Sequence, residues 1–214
     1  MGYLLKRAQS VIKAIRRHGI LKYLNRLNHS FWQKIFKTHH STVFSRDLNR
    51  NMELVPAKID LEIVSWNEDR RDELFSFLGQ YERFDEIQGK LDNGWLPMFG
   101  YYNQEPVALS WYSFKPIYMT SVELTLTYEG PIAYIEGLRT AQQVQGKSVM
   151  TAIITNICKY LYENGAERAY ICAGDDNIAS QTAIRKSGFT PYERIALTKI
   201  LFWRWHSRAR VAHS

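Results

Sequence analysis

The stretch Glu136-Gly-Leu-Arg-Thr140, followed after four residues by Gln145-Gly-Lys-Ser-Val-Met150, decides the fold. A strand-like run ends, a turn containing Gly146 follows, and a helix opens. Val149, Ile153, Ile157 and Leu161 fall on one face of that helix. The first N–H groups of such a helix have no partner within it, and the positive end of its dipole stands behind them. That is a site for an anion, and a pyrophosphate suits it. The segment is neither a nucleotide P-loop nor a G-x-G-x-x-G fingerprint. By itself it reads equally well as an ordinary strand-to-helix turn.

Working outward, Asn164-Gly165 stops the helix, as a left-handed glycine would. Residues 168–173 read as a strand. Residues 177–187 read as a helix capped by Asp176 or Asn177 and ended by Gly188, and 189–201 as a strand. Upstream, residues 59–66 alternate like a strand. Residues 70–80 and 82–91 read as two short helices, with Asn93-Gly94 closing the second. Residues 95–102 and 106–114 form a hairpin around Asn103-Gln104-Glu105. Residues 122–128 and 131–140 add two strands. The order predicts a mixed α/β (α+β) sheet with helices on both faces.

Two motifs together resemble the GCN5-related N-acetyltransferase (GNAT) superfamily. Its cofactor motif, Arg/Gln-x-x-Gly-x-Gly/Ala at a helix start, is matched by Gln145-Gly146-Lys147-Ser148-Val149-Met150. Its later motif is matched by Asn177, Ser180 and Gly188-Phe189. Tyr134-Ile-Glu-Gly137 resembles the fourth strand of members that acetylate aminoglycosides. The resemblance covers roughly residues 61–201. Ser148 stands where the family has its first motif glycine, and Met150 where it has a second small residue. The alternative register, Gln143-x-x-Gly146-x-Ser148, restores a glycine but puts Lys147 where the helix wants an apolar side chain. Ile184 stands where many members carry a tyrosine as general acid.

The resemblance implies a central mixed sheet and acyl transfer from acetyl-coenzyme A, or another acyl-coenzyme A, to a small-molecule amine. Glu136 is then the candidate general base. Backbone N–H groups of Leu138, Arg139 and Thr140 would polarise the thioester carbonyl. Those of Gln145, Gly146, Lys147, Ser148, Val149 and Met150 would hold the pyrophosphate, with Asn177 and Ser180 toward the pantetheine arm. Lys147 and Lys186 also read as solvated surface lysines, and Glu136 as a structural carboxylate. The rival reading is a degenerate module of the same fold that binds without catalysis. The loops at 68–95 and 114–130 are expected to build the acceptor site.

Composition sets the rest. The 214 residues are 45% hydrophobic and 23% charged, as in a globular protein. The net charge of +7 is uneven. Residues 1–46 carry ten Lys and Arg and no Asp or Glu, which leaves 18 basic and 21 acidic side chains in the remainder. That split disfavours nucleic acid as a partner of the main domain. Leu4, Leu5, Ala8, Val11, Ile12 and Ile15, then Leu21, Leu24, Leu27, Phe31 and Ile35, have helical spacing, so an N-terminal amphipathic helical extension is expected. Residues 2–38 would lie on an anionic membrane surface, on the chain's own domain, or on a second copy in a homodimer. A targeting peptide and a nucleic-acid arm are further readings.

The helical period breaks at Thr42, and residues 42–58, with Asn49, Asn51 and Pro56, read as a linker or an entry strand into the domain. The expected division is an arm at 1–46, a linker at 47–58, a domain at 59–205 and a basic tail at 206–214. A membrane-spanning helix is not expected, nor a secretory signal, because charges interrupt every candidate apolar run. The expected location is the cytoplasm, with membrane-surface association if the arm docks there. The two cysteines, Cys158 and Cys172, have no C-x-x-C spacing and read as buried thiols. All six histidines lie outside residues 41–205, so no catalytic metal is expected, nor a serine or cysteine triad.

Overall fold

The computed structural model describes residues 36–119, 122–200 and 203–211. They form two compact units: residues 40–195 with 208–211, and residues 36–39 with 196–200 and 203–207. The elements are β1 (Phe36–Asp47), β2 (Glu62–Ser65), α1 (Arg71–Leu78), α2 (Phe84–Asp92), β3 (Leu96–Tyr102) and β4 (Glu105–Ser113). They continue with β5 (Ile117–Met119), β6 (Leu124–Leu126), β7 (Ile132–Thr140), α3 (Val149–Glu163), β8 (Arg168–Gly174), α4 (Ile178–Lys186), β9 (Thr190–Ile200) and β10 (Trp203–Arg210). The main sheet has the order β10-β9-β1-β8-β7-β4-β3-β2, and β5 and β6 form a separate hairpin.

Strands β2, β3, β4 and β7 pair antiparallel, while β7 and β8 pair parallel across the α3 connection. The pleat sorts the residues of β7 and β8. Ala133, Ile135, Ala169 and Ile171 join the core cluster with Val149, Ile153, Ile157 and Leu161 of α3. The alternate residues Tyr134 and Tyr170 are also buried, in a tyrosine cluster with Tyr128 and Tyr192. The expected helix stops are met. Gly165 (φ +90°) lets Ala166 N–H reach the Leu161 carbonyl at 3.0 Å. Gly188 (φ +79°) does the same for Phe189 and Ile184 at 3.4 Å.

The structure corrects the ends of the expected domain. Residues 36–46, assigned to the helical arm, belong to β1, and Ser41–Asp47 pair antiparallel with Arg168–Gly174. Ser41, Thr42, Val43, Phe44 and Ser45 are all buried, so both faces of this strand are covered and the stripe of a half-buried strand is absent. Residues 206–210, assigned to the basic tail, are the second half of β10, where Arg208 binds Glu193. Strand β5 has no counterpart in the expected elements. The arm at 1–35 lies outside the described residues. Among the described residues, no helix is long and apolar enough to cross a membrane.

Candidate active site

The site begins at an irregularity in β7. Arg139 pairs with Leu109 of β4 and Glu136 with Trp111, so β7 carries one more residue than β4 between those pairs. Gly137 sits there with φ +63°, and a Cβ on it would stand 2.7 Å from Trp111 Cδ1. Both the turn and the indole therefore require glycine. The Ser110 hydroxyl donates to the Glu136 carbonyl at 3.0 Å, satisfying an oxygen at the edge of the bulge. Beyond the bulge, residues 138–140 are half-buried rather than buried.

These residues form one wall of a cleft of about 580 Å³. Leu138, Arg139 and Thr140 come from β7. Val144, Gln145, Gly146 and Ser148 come from the turn, and Val149, Met150 and Thr151 from the first turn of α3. The opposite wall is one face of α4: Ala179, Ser180, Thr182, Ala183 and Lys186. Tyr81, between α1 and α2, closes the remaining side.

The turn is built for its conformation. Gly146 has φ +75°, with nothing within 4 Å of the position a Cβ would take. Ser148, preceding α3, is left-handed at φ +59°, a region where non-glycine residues are uncommon. The family's glycine would sit there without strain, which favours the register that aligns Ser148 with it. The N–H groups of Gln145 and Lys147 are taken by the carbonyls of Gln142 and Val144, each at 3.3 Å. Those of Gly146, Ser148, Val149, Met150 and Thr151 have no acceptor among the described residues. The expected array of amides is thus present but shifted: two members are engaged, and Thr151 joins. Lys147 and Asn177 stand outside the cleft lining. The Lys147 carbonyl accepts from Lys58 N–H at 2.8 Å, and the Asn177 side chain caps α4 by accepting from Ser180 N–H at 3.1 Å. Ile184 is fully buried in the core and faces no ligand space.

Glu136 does not line the cleft; Leu138 and Arg139, just past the bulge, do. Its carboxylate stands 3.2 Å from Lys90 of α2. Lys90 donates a hydrogen bond to Glu82 at 3.2 Å, and Glu82 also pairs with Arg139 at 3.2 Å. The Lys90 ammonium lies 5.2 Å from the centre of the Trp111 ring, a cation–π contact. Burial pushes the Glu136 carboxyl above the ordinary glutamate range, against the pull of Lys90 and with a smaller upward push from Glu82. Glu82, Lys90 and Tyr81 were not singled out by the sequence. They fall within the 68–95 region assigned to the acceptor, and no spacing rule links Glu82 to Arg139 across half the sheet. Among the described residues no cluster of His, Cys, Asp or Glu could hold a metal ion.

The cleft therefore offers helix-start amides for an anion and a bulged strand edge, and the Glu136 carboxylate lies outside its lining, on the other side of the bulge. The family model for the acetyltransferase (GNAT) family matches residues 60–189. Among solved structures, a GNAT-family acetyltransferase from Colwellia psychrerythraea is similar at TM-score 0.55 and 17% identity, over 77% of this chain and 57% of that one. A putative GNAT-family acetyltransferase from Novosphingobium aromaticivorans is similar at TM-score 0.54 and 14% identity, over 76% and 64%. The chain thus spans less than two thirds of the length of either. AAC(6')-Iy in complex with the bisubstrate analog CoA-S-monomethyl-acetylneamine is similar at TM-score 0.50 and 13% identity, over 61% and 90%. Among curated proteins, the sequence matches none.

Proposed function

The chain belongs to the acetyltransferase (GNAT) family, and from that premise we propose that it transfers an acyl group, acetyl foremost, from acyl-coenzyme A to a primary amine of a small molecule or saccharide. The observation that carries this reading is the row of unengaged N–H groups at Gly146 and Ser148–Thr151, opening into the cleft between β7 and α4. A diphosphate fits their chemistry, because it takes several donors at once beside a helix N-terminus. Lys186 adds a cation to the same cleft. Bound acyl-coenzyme A supplies the activated acyl group. Leu138 to Thr140 offer main-chain donors at the bulged edge for the charge that develops on the acyl oxygen. Glu136 takes the proton from the acceptor ammonium, directly or through a water, and a carboxyl raised by burial is the better base for it. Ile184 supplies no acid. The leaving thiolate, with a solution pKa of about 8.5, takes its proton from water or from Tyr81 at the cleft wall.

Isothermal titration with acetyl-coenzyme A tests the reading. Saturable binding is expected in the wild type and in Ser148→Gly, whose stability changes by less than about 1 kcal/mol, relieved strain offsetting glycine's entropy. Ser148→Val, a β-branched residue forced to positive φ, is expected to weaken binding about tenfold or more. No heat from the wild type at millimolar ligand would leave the degenerate binding module instead.

A second reading concerns location. Trp203 and Trp205 are 79% and 74% exposed and lie two residues apart on β10, so their side chains share one face of that strand. Residues 1–46 carry ten basic side chains and no acidic one. Exposed indoles with dense positive charge suit an anionic bilayer surface, which would make this a cytoplasmic protein held at the membrane. Co-sedimentation with phosphatidylglycerol vesicles should then fall with salt, and should weaken in Trp203→Ala/Trp205→Ala. Equal binding to neutral phosphatidylcholine vesicles would reject the membrane reading.

A further inference from the structure

Two ion pairs, Lys90–Glu136 and Arg139–Glu82, tie the α1–α2 region to β7 on either side of its bulge, and a third, Lys90–Glu82, links them. The Glu82 side chain is 8% exposed, against 26% for Glu136 and 22% for Lys90. The main chain fixes it: the N–H groups of Tyr81 and Glu82 both bond the Leu78 carbonyl, at 2.7 and 2.8 Å. Phe75 of α1 stacks on Phe84 of α2 with ring centres 4.1 Å apart, which holds the corner rigid. One Glu82 oxygen meets Arg139 and the other meets Lys90. Lys90 is thereby shared between two carboxylates, and only one oxygen of Glu136, Oε1, meets it. The other Glu136 oxygen has no partner among the described residues.

We propose that Glu82 is a positioning residue for acyl transfer. By competing for Lys90 it keeps the ammonium from closing over Glu136, leaves one Glu136 oxygen open toward the acceptor amine, and plants the neighbouring Tyr81 at the wall of the cleft. This rests on the reading of Glu136 as the base.

The charged groups facing Glu136 are Lys90 from α2, Glu82 from the corner and Arg139 from its own strand. Their effects have opposite signs. With Glu82 neutral, Lys90 serves Glu136 alone and stabilises its anion. With Lys90 gone, burial and Glu82 act on Glu136 without relief. With Arg139 neutral, Glu82 draws Lys90 more strongly, and a cation near Glu136 is lost.

The test is a 13C titration of glutamate side-chain carboxyls in the full chain, with the Glu136 resonance identified by its loss in Glu136→Gln. The midpoint should fall in Glu82→Gln and rise in Lys90→Met, each by on the order of one pH unit. Arg139→Gln, at a more exposed position, should also raise it and serves if Lys90→Met fails to fold, as Glu82→Ser serves if Glu82→Gln does. In acyl transfer from acetyl-coenzyme A to a panel of primary amines, the acid limb of kcat/KM should move in the same order. Midpoints that are unchanged, or that move the same way in Glu82→Gln and Lys90→Met, overturn the proposal. If the order holds but Glu136→Gln turns over normally, the base reading fails instead.

Discussion

Glu136→Gln is expected to lower kcat/KM for acyl transfer by about 10²- to 10⁴-fold, the range spanned by a positioned general base, while the protein becomes slightly more stable. The two effects share a cause. Burial raises the Glu136 carboxyl above its unfolded value, with Lys90 only partly offsetting it. The folded chain therefore binds this proton more tightly than the unfolded chain does. Its ionisation costs stability, and the cost grows as pH rises from the ordinary carboxylate range through the raised value. Glutamine removes that cost and leaves Lys90 paired with Glu82. Thermal melts should show the variant's advantage vanishing on the acid side of that window and growing toward neutral pH. Turnover equal to the wild type, at saturating acetyl-coenzyme A, would take Glu136 out of the mechanism.

The turn before α3 was legible in sequence because its constraints are local. A helix that starts immediately after a tight turn needs residues that tolerate positive φ, and Gly146 and Ser148 both adopt it. The helix stops at Asn164-Gly165 and Gly188 were legible for the same reason. Strand β1 was not. Its sequence, FKTHHSTVFSRD, has no alternation, because the strand lies inside the sheet between β8 and β9 and is covered on both faces. The preceding helical stripe ran into it without a Gly or Pro to mark the change. Its small residues serve a purpose that appears only in three dimensions. Ser45 lies opposite Tyr170, and the rings of Tyr170 and Tyr192 approach to 5.3 Å from the strands on either side. The Glu82–Lys90–Glu136–Arg139 network was equally hidden. Glu136 and Arg139 were singled out for other reasons, but Glu82 and Lys90 read as ordinary surface residues until the corner between α1 and α2 meets the bulge. Ile184 shows the reverse case: sequence flagged the missing tyrosine, and burial shows that the position faces the core.

Arg208→Met should cost about 3 kcal/mol, the lower end of the range for breaking a buried pair by removing one partner. Glu193 is the reason. Its side chain is 5% exposed, and Arg208 grips it in a two-point pair, Nε to Oε1 at 2.8 Å and Nη2 to Oε2 at 2.7 Å. Tyr128 donates to the same carboxylate at 2.8 Å and stacks on Tyr170 with ring centres 4.1 Å apart. The Arg208 side chain is 36% exposed, so solvent replaces part of what methionine removes. Desolvation alone would raise the Glu193 carboxyl; the Arg208 pair and the Tyr128 hydroxyl outweigh it, and the group titrates below its ordinary value. The stability it contributes is therefore present above the unfolded carboxylate range and is lost as pH falls through the lowered folded value. In Arg208→Met the carboxylate is stranded, and protonation now relieves it. The gap in melting temperature from the wild type should be about 6–12 °C near neutrality and should shrink as pH falls through the carboxylate range, because the variant takes up the Glu193 proton before the wild type does. Adding Glu193→Leu to Arg208→Met should recover much of the loss, because an apolar side chain needs no partner in that site. A single variant that melts within a degree of the wild type at pH 7 would mean that the second half of β10 does not hold Glu193. The aromatic cluster would then stand without its charged clamp.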